Sequence, residues 1–487
     1  MVLTRSLSQP SQHVLAFVRW GGLLGVILAV LFPVSARGQE TDTLTFGIDA
    51  ITASKAAPRV TLAGWAADRR LWMLDRQHSY GDQYYDRGVF RHITPLMDRE
   101  YPIDLATYRF TPGQDQAWRE IDTGMRIRTG SITRNQWGIS TEIKHVADLG
   151  SGHSLGIDAF LREDAQTQRV LLEMAYDWTV ASNHHVGIRH TFAQYKPDFD
   201  VSAYYQYGDD DSGYVRAEAT AMDAYNDFLF GVLGVWKGRE AYERVYEQNP
   251  YLLQLAVSSP PRYPLRAELF GGWHTPSELV VQSQFNENER YRDREGGHYL
   301  GAMVSYRMGP VTTGLVYQRD QSSLDRLGLR SAVTSDYWTE QRYERSGLFA
   351  TGGWGPFRGS VWLFLVDYYD RQRGTDFSLS TIDRALSWDE ERTNYQFRLY
   401  YVPEATGLFV GVEYVGLDRR SAPASGVMGN QWAESWANRG PSHYRGPVIL
   451  GYRFGRGAVS MGINYDFDAD LHGDRFDNGF FRFTLAW

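Results

Sequence analysis

The chain has no cysteine. That excludes disulfides, thiolate zinc sites and thiol nucleophiles together. Long hydrophobic runs are almost as scarce. The one near the start, Gly21 to Val34, is shorter than the ~20 residues a membrane-crossing helix needs, and no later window approaches such a span. Strong charge of one sign is also missing. The formal net charge is −8, and an acidic balance argues against a nucleic-acid partner. No phosphate-cradling glycine loop, His-rich zinc pattern or dinucleotide fingerprint occurs, so no cofactor and no resident metal are expected.

The first residues set the compartment. Arg5 and Arg19 precede the apolar run, and Val34-Ser35-Ala36 or Ala36-Arg37-Gly38 offers small residues for cleavage. Residues 1–38 are therefore expected to be a secretory signal peptide, cut after Ala36 or Gly38. Loss of Arg5 and Arg19 with that leader takes the net charge to about −10. An exported chain without disulfides needs another source of rigidity, and closed strand pairing supplies one.

What the sequence has in quantity is aromatics and glycine. There are 31 Tyr, 24 Phe, 15 Trp and 48 Gly, yet the mean hydropathy is negative. The C-terminus shows how both can hold. Phe481, Phe483, Leu485 and Trp487 alternate with Phe480, Arg482, Thr484 and Ala486, a period of two with one apolar face. In water such a strand invites aggregation. In a closed barrel its apolar face meets lipid and its backbone is paired on both sides.

Counting back from Trp487 extends the pattern. Strands are expected at 458–467, 446–454, 407–415, 393–402, 360–369, 346–354, 311–319, 298–308, 279–286 and 265–273. Short links fall at Gly455–Gly457, Pro403–Thr406, Gly355–Gly359, Gly309-Pro310 and His274–Glu278. Long polar links fall at 416–445, 370–392, 320–345, 287–297 and 237–264. Short and long links alternate, as periplasmic turns and outer loops do in a transmembrane barrel. The earlier strands are 227–236, 213–222, 199–207, 184–193, 168–180, 153–162, 134–146 and 119–129, with brief links Ala147–Gly152, Ser182-Asn183 and Gly208–Ser212 assigned to the outer side. A strand at 58–66 makes the number even. The segment 39–118 holds that strand and a long loop or plug; 119–487 is the barrel. The expected fold is all-β, a transmembrane antiparallel up-and-down β-barrel of about 18–20 strands.

Charged residues on inward positions are the informative constellation. They include Arg126, Arg128, Glu142, Lys144, Arg162, Arg169, Glu173, Asp177, Arg189, Arg216, Glu218, Arg398, Glu413, Arg453 and Arg482. Glu120, Asp122, Asp158, Arg266 and Glu268 share the phase. Facing lipid at the midplane, an Arg or Lys costs about 2–4 kcal/mol. Two readings stand. Mixed charges line a hydrated pore for polar or charged solutes, or opposite charges on neighbouring strands hold a filled barrel together.

Trp137, Trp178, Trp236, Trp273, Trp354, Tyr414 and Trp487 fit interfacial girdles; inward Tyr204, Tyr400 and Trp362 suit sugar stacking better. Asp209-Asp210-Asp211 and the group Asp466, Asp468, Asp470 and Asp474 are expected at outer tips. The second group begins like a calcium loop but lacks the glycine and the closing glutamate in place. Ser442-His443, His153-Ser154 and His472 with Asp474 are the only tempting catalytic pairs. Adjacent residues on a strand point to opposite faces, which counts against His153-Ser154, and no local signature of outer-membrane phospholipases or omptin-like proteases occurs, so catalysis is not expected.

A terminal aromatic after alternating apolar residues (Phe481, Phe483, Leu485, Trp487) resembles the C-terminal signal that bacterial outer-membrane barrels present to their assembly machinery. The whole of 39–487 resembles porin-like outer-membrane barrels of Gram-negative bacteria. Ala117 to Gly130, with the strand around Trp137–Val146, is loosely similar to the first hairpin of alginate-export-type barrels. That resemblance implies an Arg-rich lumen, carried here by Arg126 and Arg128, for an anionic polysaccharide. The expected function is an outer-membrane channel for polar or anionic solutes, saccharides among them. A structural or surface-binding barrel with a filled lumen and no transport is the alternative, and an outer-membrane hydrolase is the less favoured third reading. Expected partners are outer-membrane lipid, the barrel-assembly machinery and the solute.

Overall fold

The computed structural model describes residues 123–487 except 131–137, 165–167, 194–198, 210–211, 223, 225–241, 261–262, 284–289, 330–336, 376–382, 404, 420–441, 456 and 468–475. The signal peptide, the 58–66 strand and the 227–236 strand lie outside the described residues.

Alternating sequence builds one sheet. Its strands are β1 (Gly124–Gly130), β2 (Gly138–Gly150), β3 (His153–Asp164), β4 (Gln168–Ala181), β5 (His184–Ala193), β6 (Phe199–Asp209) and β7 (Gly213–Ala221). There follow β8 (Tyr242–Gln248), β9 (Tyr251–Ser258), β10 (Leu265–Ser283), β11 (Arg290–Met308), β12 (Val311–Gly328) and β13 (Tyr337–Trp354). The sheet ends with β14 (Phe357–Thr375), β15 (Asp383–Tyr401), β16 (Leu408–Arg419), β17 (Ser442–Phe454), β18 (Gly457–Asp466) and β19 (Phe476–Ala486). Neighbours pair antiparallel. The ring closes where β1 meets β19, from Gly124 opposite Ala486 to Gly130 opposite Phe480. β8 and β9 run the same way and both pair with β10, so nineteen strands fill eighteen places in the wall. Closure leaves no edge, which is what permits strands to cross a bilayer.

The surface is turned inside out relative to a soluble domain. On β10, Leu265, Leu269 and Trp273 are 56%, 45% and 52% exposed, whereas Arg266, Glu268 and Phe270 are 7%, 5% and 3% exposed. The same alternation runs along β16, where Leu408, Val410 and Val412 face out and Phe409 and Glu413 face in. Charged side chains are normally outside and large apolar ones within; the reversal places hydrocarbon around the wall. Each strand needs about 9–11 residues to cross. β10 to β15 have 18 or 19 each. Their outer halves leave the apolar band, and the outward face there carries ion pairs such as Arg292–Glu278 (2.7 Å) and Arg342–Asp367 (3.3 Å).

Counting around the ring puts the two-residue turns at the end that bears Trp487. Ser151-Gly152, Ser182-Asn183, Gly309-Pro310 and Gly455-Arg456 all lie there, as does the link 210–212. Gly309 and Gly455, at φ 56° and 49°, make the tight reversals. The connections of 20 or more residues, 222–241 and 420–441, lie at the other end.

Several sequence expectations are corrected. His274–Glu278 is not a turn. It is a bulge within β10, with the register shifting between His274 and Ser277. Pro276 cannot donate to a ladder, and it lies opposite the break at Asn249-Pro250, where Tyr251 N–H donates to Thr275 Oγ1 at 3.0 Å. That spurious turn inverted the first half. Ala147–Gly152, Ser182-Asn183 and Gly208–Ser212, with Asp209, belong to the Trp487 end rather than the outer end. The expected loop 237–264 contains β8 and β9, and the loops 287–297, 320–345 and 370–392 are largely strand.

Candidate functional site: the charged face of the lumen

Where side chains are described, Arg126, Glu173, Arg189, Arg216, Glu218, Arg398, Glu413 and Arg482 are wholly or partly buried on the inner face, and register decides which of them meet. On β4 to β7 a half-exposed group assembles. Arg189 approaches Glu173 at 3.8 Å, the side chains being 22% and 14% exposed. Arg216 pairs with Glu218 at 2.7 Å, at 20% and 8%. Tyr204 lies between these pairs. Its hydroxyl donates to Asp177, and Gly187, which is in register with both Asp177 and Tyr204, leaves room for its ring. The Arg216 guanidinium sits 3.7 Å above the ring centroid and that of Arg189 5.1 Å away, close enough for cation–π attraction. Lys144 is opposite Asp158, and Asp158 opposite Glu173, continuing the charged row to β2.

A second group is sealed. Glu413 receives the Tyr400 hydroxyl and lies 3.7 Å from Arg398 and 3.5 Å from Arg482. The Arg398 and Glu413 side chains are both 0% exposed. Arg482 belongs to the closing seam, where it is opposite Arg128. Arg126 is buried in that seam, opposite Thr484 and Glu142. Arg162 and Arg169 are opposite one another. Arg453, near the rim, donates to the Pro403 carbonyl at 3.2 Å. Arg126 and Arg128 therefore belong to the seam, apart from the half-exposed wall.

Three arrangements escaped the sequence reading. Gln254 donates to the Tyr299 hydroxyl, on a strand taken for loop. Asp293 and Arg326 form a bidentate pair at 2.7 and 2.9 Å, with Arg326 3.9 Å above the Tyr291 ring. Both lie in stretches whose polarity suggested outer loops, although Tyr291, Asp293 and Glu295 keep the strand period. The third is an apolar patch on the lumen wall. Phe349 stacks on Trp362 at 4.6 Å and Trp362 on Phe364 at 5.8 Å, with Phe270, Met303 and Val316 in the same cluster. Trp362 and Tyr400 are 1% exposed, which leaves no ring face for a sugar; Tyr204 is capped by Arg216.

His153 and Ser154 do not come together as a catalytic pair. His153 stacks outward on Trp178 at 5.3 Å, while Ser154 is on the other face of β3, opposite Asp177. His472 and Asp474 lie outside the described residues. Among the described residues no three His, Asp or Glu gather as metal ligands would. At the C-terminus Phe481 and Trp487 are exposed, and Arg482, Thr484 and Ala486 face in.

No family model matches the chain, and no curated relative does. Solved structures similar to it include CdiB from Acinetobacter baumannii, at TM-score 0.39 and 9% identity over 75% of this chain and 60% of that one. OccK10 (OpdN) of Pseudomonas aeruginosa gives 0.34 and 12% over 75% and 98%. A loop-deletion mutant of OmpT, an outer membrane protein of Vibrio cholerae, gives 0.32 and 13% over 75% and 99%. The chain thus spans 60% of the length of CdiB. Its own closed wall and inverted surface define a transmembrane β-barrel of the outer-membrane type.

Proposed function

We propose that this protein is an outer-membrane channel whose conducting path follows the charged wall of β4 to β7. The observation that carries this is the partial exposure of Arg189, Glu173 and Arg216 on the lumen side, whereas the charges around Glu413 are sealed. Partly hydrated charges of both signs create a transverse field, which selects polar or charged solutes over apolar ones. Arg189 and Arg216 beside the Tyr204 ring are the donors on this wall that an anionic group would meet, with Glu173, Glu218 and Asp177 beside them for a cation. The loose similarity of the β1–β2 hairpin to alginate-export-type barrels suits anionic saccharides within that class. The protein carries out no reaction, and the aromatic face of β19, ending at Trp487, is what the assembly machinery reads.

Planar-bilayer recording of the purified full-length protein tests this. Ohmic current is expected, with anion preference reduced when Arg189 and Arg216 both become Glu. A folded, heat-modifiable barrel without current would contradict it. The second reading, a structural barrel, draws on the sealed Glu413 group, and silence in the same recording is its signature.

A further inference from the structure

The inner face carries two guanidiniums that meet no carboxylate among the described residues. Elsewhere on it Arg216, Arg266 and Arg326 each hold one at 2.7 Å. Arg358 and Arg453 differ. Arg358 is the second residue of β14, just after the Gly355-Pro356 turn, and Arg453 is the last but one of β17, just before Gly455-Arg456. Both turns lie at the Trp487 end. Phase puts the two side chains inside, since Phe357, Tyr452 and Phe454 beside them are exposed outward. Arg358 is 8% exposed. It folds back over Gly353, its register partner, where an added Cβ would stand 2.6 Å from its Cδ. Its Nη1 donates to the Gly355 and Phe357 carbonyls, and Arg453 Nη2 donates to the Pro403 carbonyl at 3.2 Å. Among the described residues, main-chain carbonyls are the only hydrogen-bond partners of either.

Carbonyl dipoles do not neutralise a guanidinium. A buried charge normally has a counter-charge, and a buried donor left over points to an ion or water that completes it. Here the Nε of both arginines is shielded and unbonded. So are two hydroxyls one inward step from them. Ser360 is two residues beyond Arg358 on β14, and Ser460 is opposite Gly451, two residues beyond Arg453. The two arginines are tied to one link: Val402 N–H donates to the Pro356 carbonyl, and the next residue, Pro403, receives Arg453. They are near enough for their like charges to repel. The acid in the next row, Glu413, already receives Tyr400 and faces Arg398 and Arg482. Two cations without an acid, with unbonded N–H and O–H donors beside them, are the donor set that an oxyanion takes.

We propose that Arg358 and Arg453 form an oxyanion site at the Trp487 end of the lumen, taking a carboxylate or phosphate group of a solute, with Ser360 and Ser460 as further donors. This goes beyond the channel reading, because the site holds its anion whether or not the barrel conducts.

Equilibrium binding tests this, with the full-length protein in neutral detergent and the anionic dye carboxyfluorescein followed by anisotropy. Saturable binding is expected, displaced by inorganic phosphate or by D-glucuronate but not by chloride at the same ionic strength. Which of the two displaces the dye assigns the group. Arg358→Gln combined with Arg453→Gln is expected to weaken binding about tenfold or more, and Arg453→Lys to weaken it less. Arg453→Gln alone, which gives up one bond to a carbonyl, serves should the double variant lose its heat-modifiable fold. Absence of binding, equal displacement by chloride, or unchanged affinity in the folded variants would overturn the proposal. So would binding gained only when Glu404, the acid of the link after β15, becomes Gln, because Glu404 would then be the counter-charge. Since no current is recorded, failure here is distinct from a failure of the channel reading.

Discussion

The wall of β4 to β7 and the wall of β10 to β14 face one lumen and are built with one device, yet they end in different states. On both, an aromatic ring leans over a glycine on the neighbouring strand: Tyr204 over Gly187 on one side, Phe349 over Gly314 on the other. On the first wall the ring ends in a hydroxyl that donates to Asp177, with guanidiniums above it. On the second the rings stack on one another and are buried. A barrel need not be uniformly wet. Charge on one arc and aromatic surface on another make a lumen with a charged side and a packing side.

The largest expected effect separates sealed from half-exposed charge. Glu413→Ala leaves Arg398 and Arg482 buried beside each other and is expected to cost about 3–5 kcal/mol. Glu173→Ala on the open wall removes a pair at 3.8 Å and costs about 1 kcal/mol or less. Urea unfolding of the heat-modifiable band in detergent reads both, and equal losses would erase the distinction between the groups.

Next comes the inside-outside contrast. Val410→Arg puts a cation against lipid and is expected to cost about 2–4 kcal/mol. Gln206→Arg, on the lumen side of the half-exposed wall, changes stability by about 0.5 kcal/mol or less. The same titration measures them, and a larger penalty at Gln206 would reverse the assigned phase of β6.

The smallest contrast concerns the glycines. Gly314→Ala drives a methyl group into the Phe349 ring and is expected to cost about 1–3 kcal/mol. Gly156→Ala on β3 meets its neighbours only at 3.7 Å or more and is tolerated. Thermal unfolding by tryptophan fluorescence separates the two.

Much of this was legible from residue order, and the failures have physical causes. Strands from Phe357 onward stand near their expected places because glycine turns such as Gly455 punctuate a clear two-residue period. The tall strands were cut short because polarity outside the bilayer resembles loop composition: Arg290 to Glu295 keeps its alternation but carries charge on both faces. His274–Glu278 misled because proline and polar residues mark a bulge and a turn alike. One such error inverts every strand before it. Phase could point to inward charges one by one but not to their grouping, because Glu413 meets Arg482 across two intervening strands. Register over that distance is a property of the closed ring.

The central claim is that one arc of the lumen, β4 to β7, is wet and another, β10 to β14, is buried. In the cysteine-free background, Arg216→Cys and Met303→Cys are each exposed to a small charged methanethiosulfonate reagent during bilayer recording. The account predicts rapid modification of the cysteine replacing Arg216, with a step change in current, and no modification of the one replacing Met303. Equal reaction at both positions would contradict it.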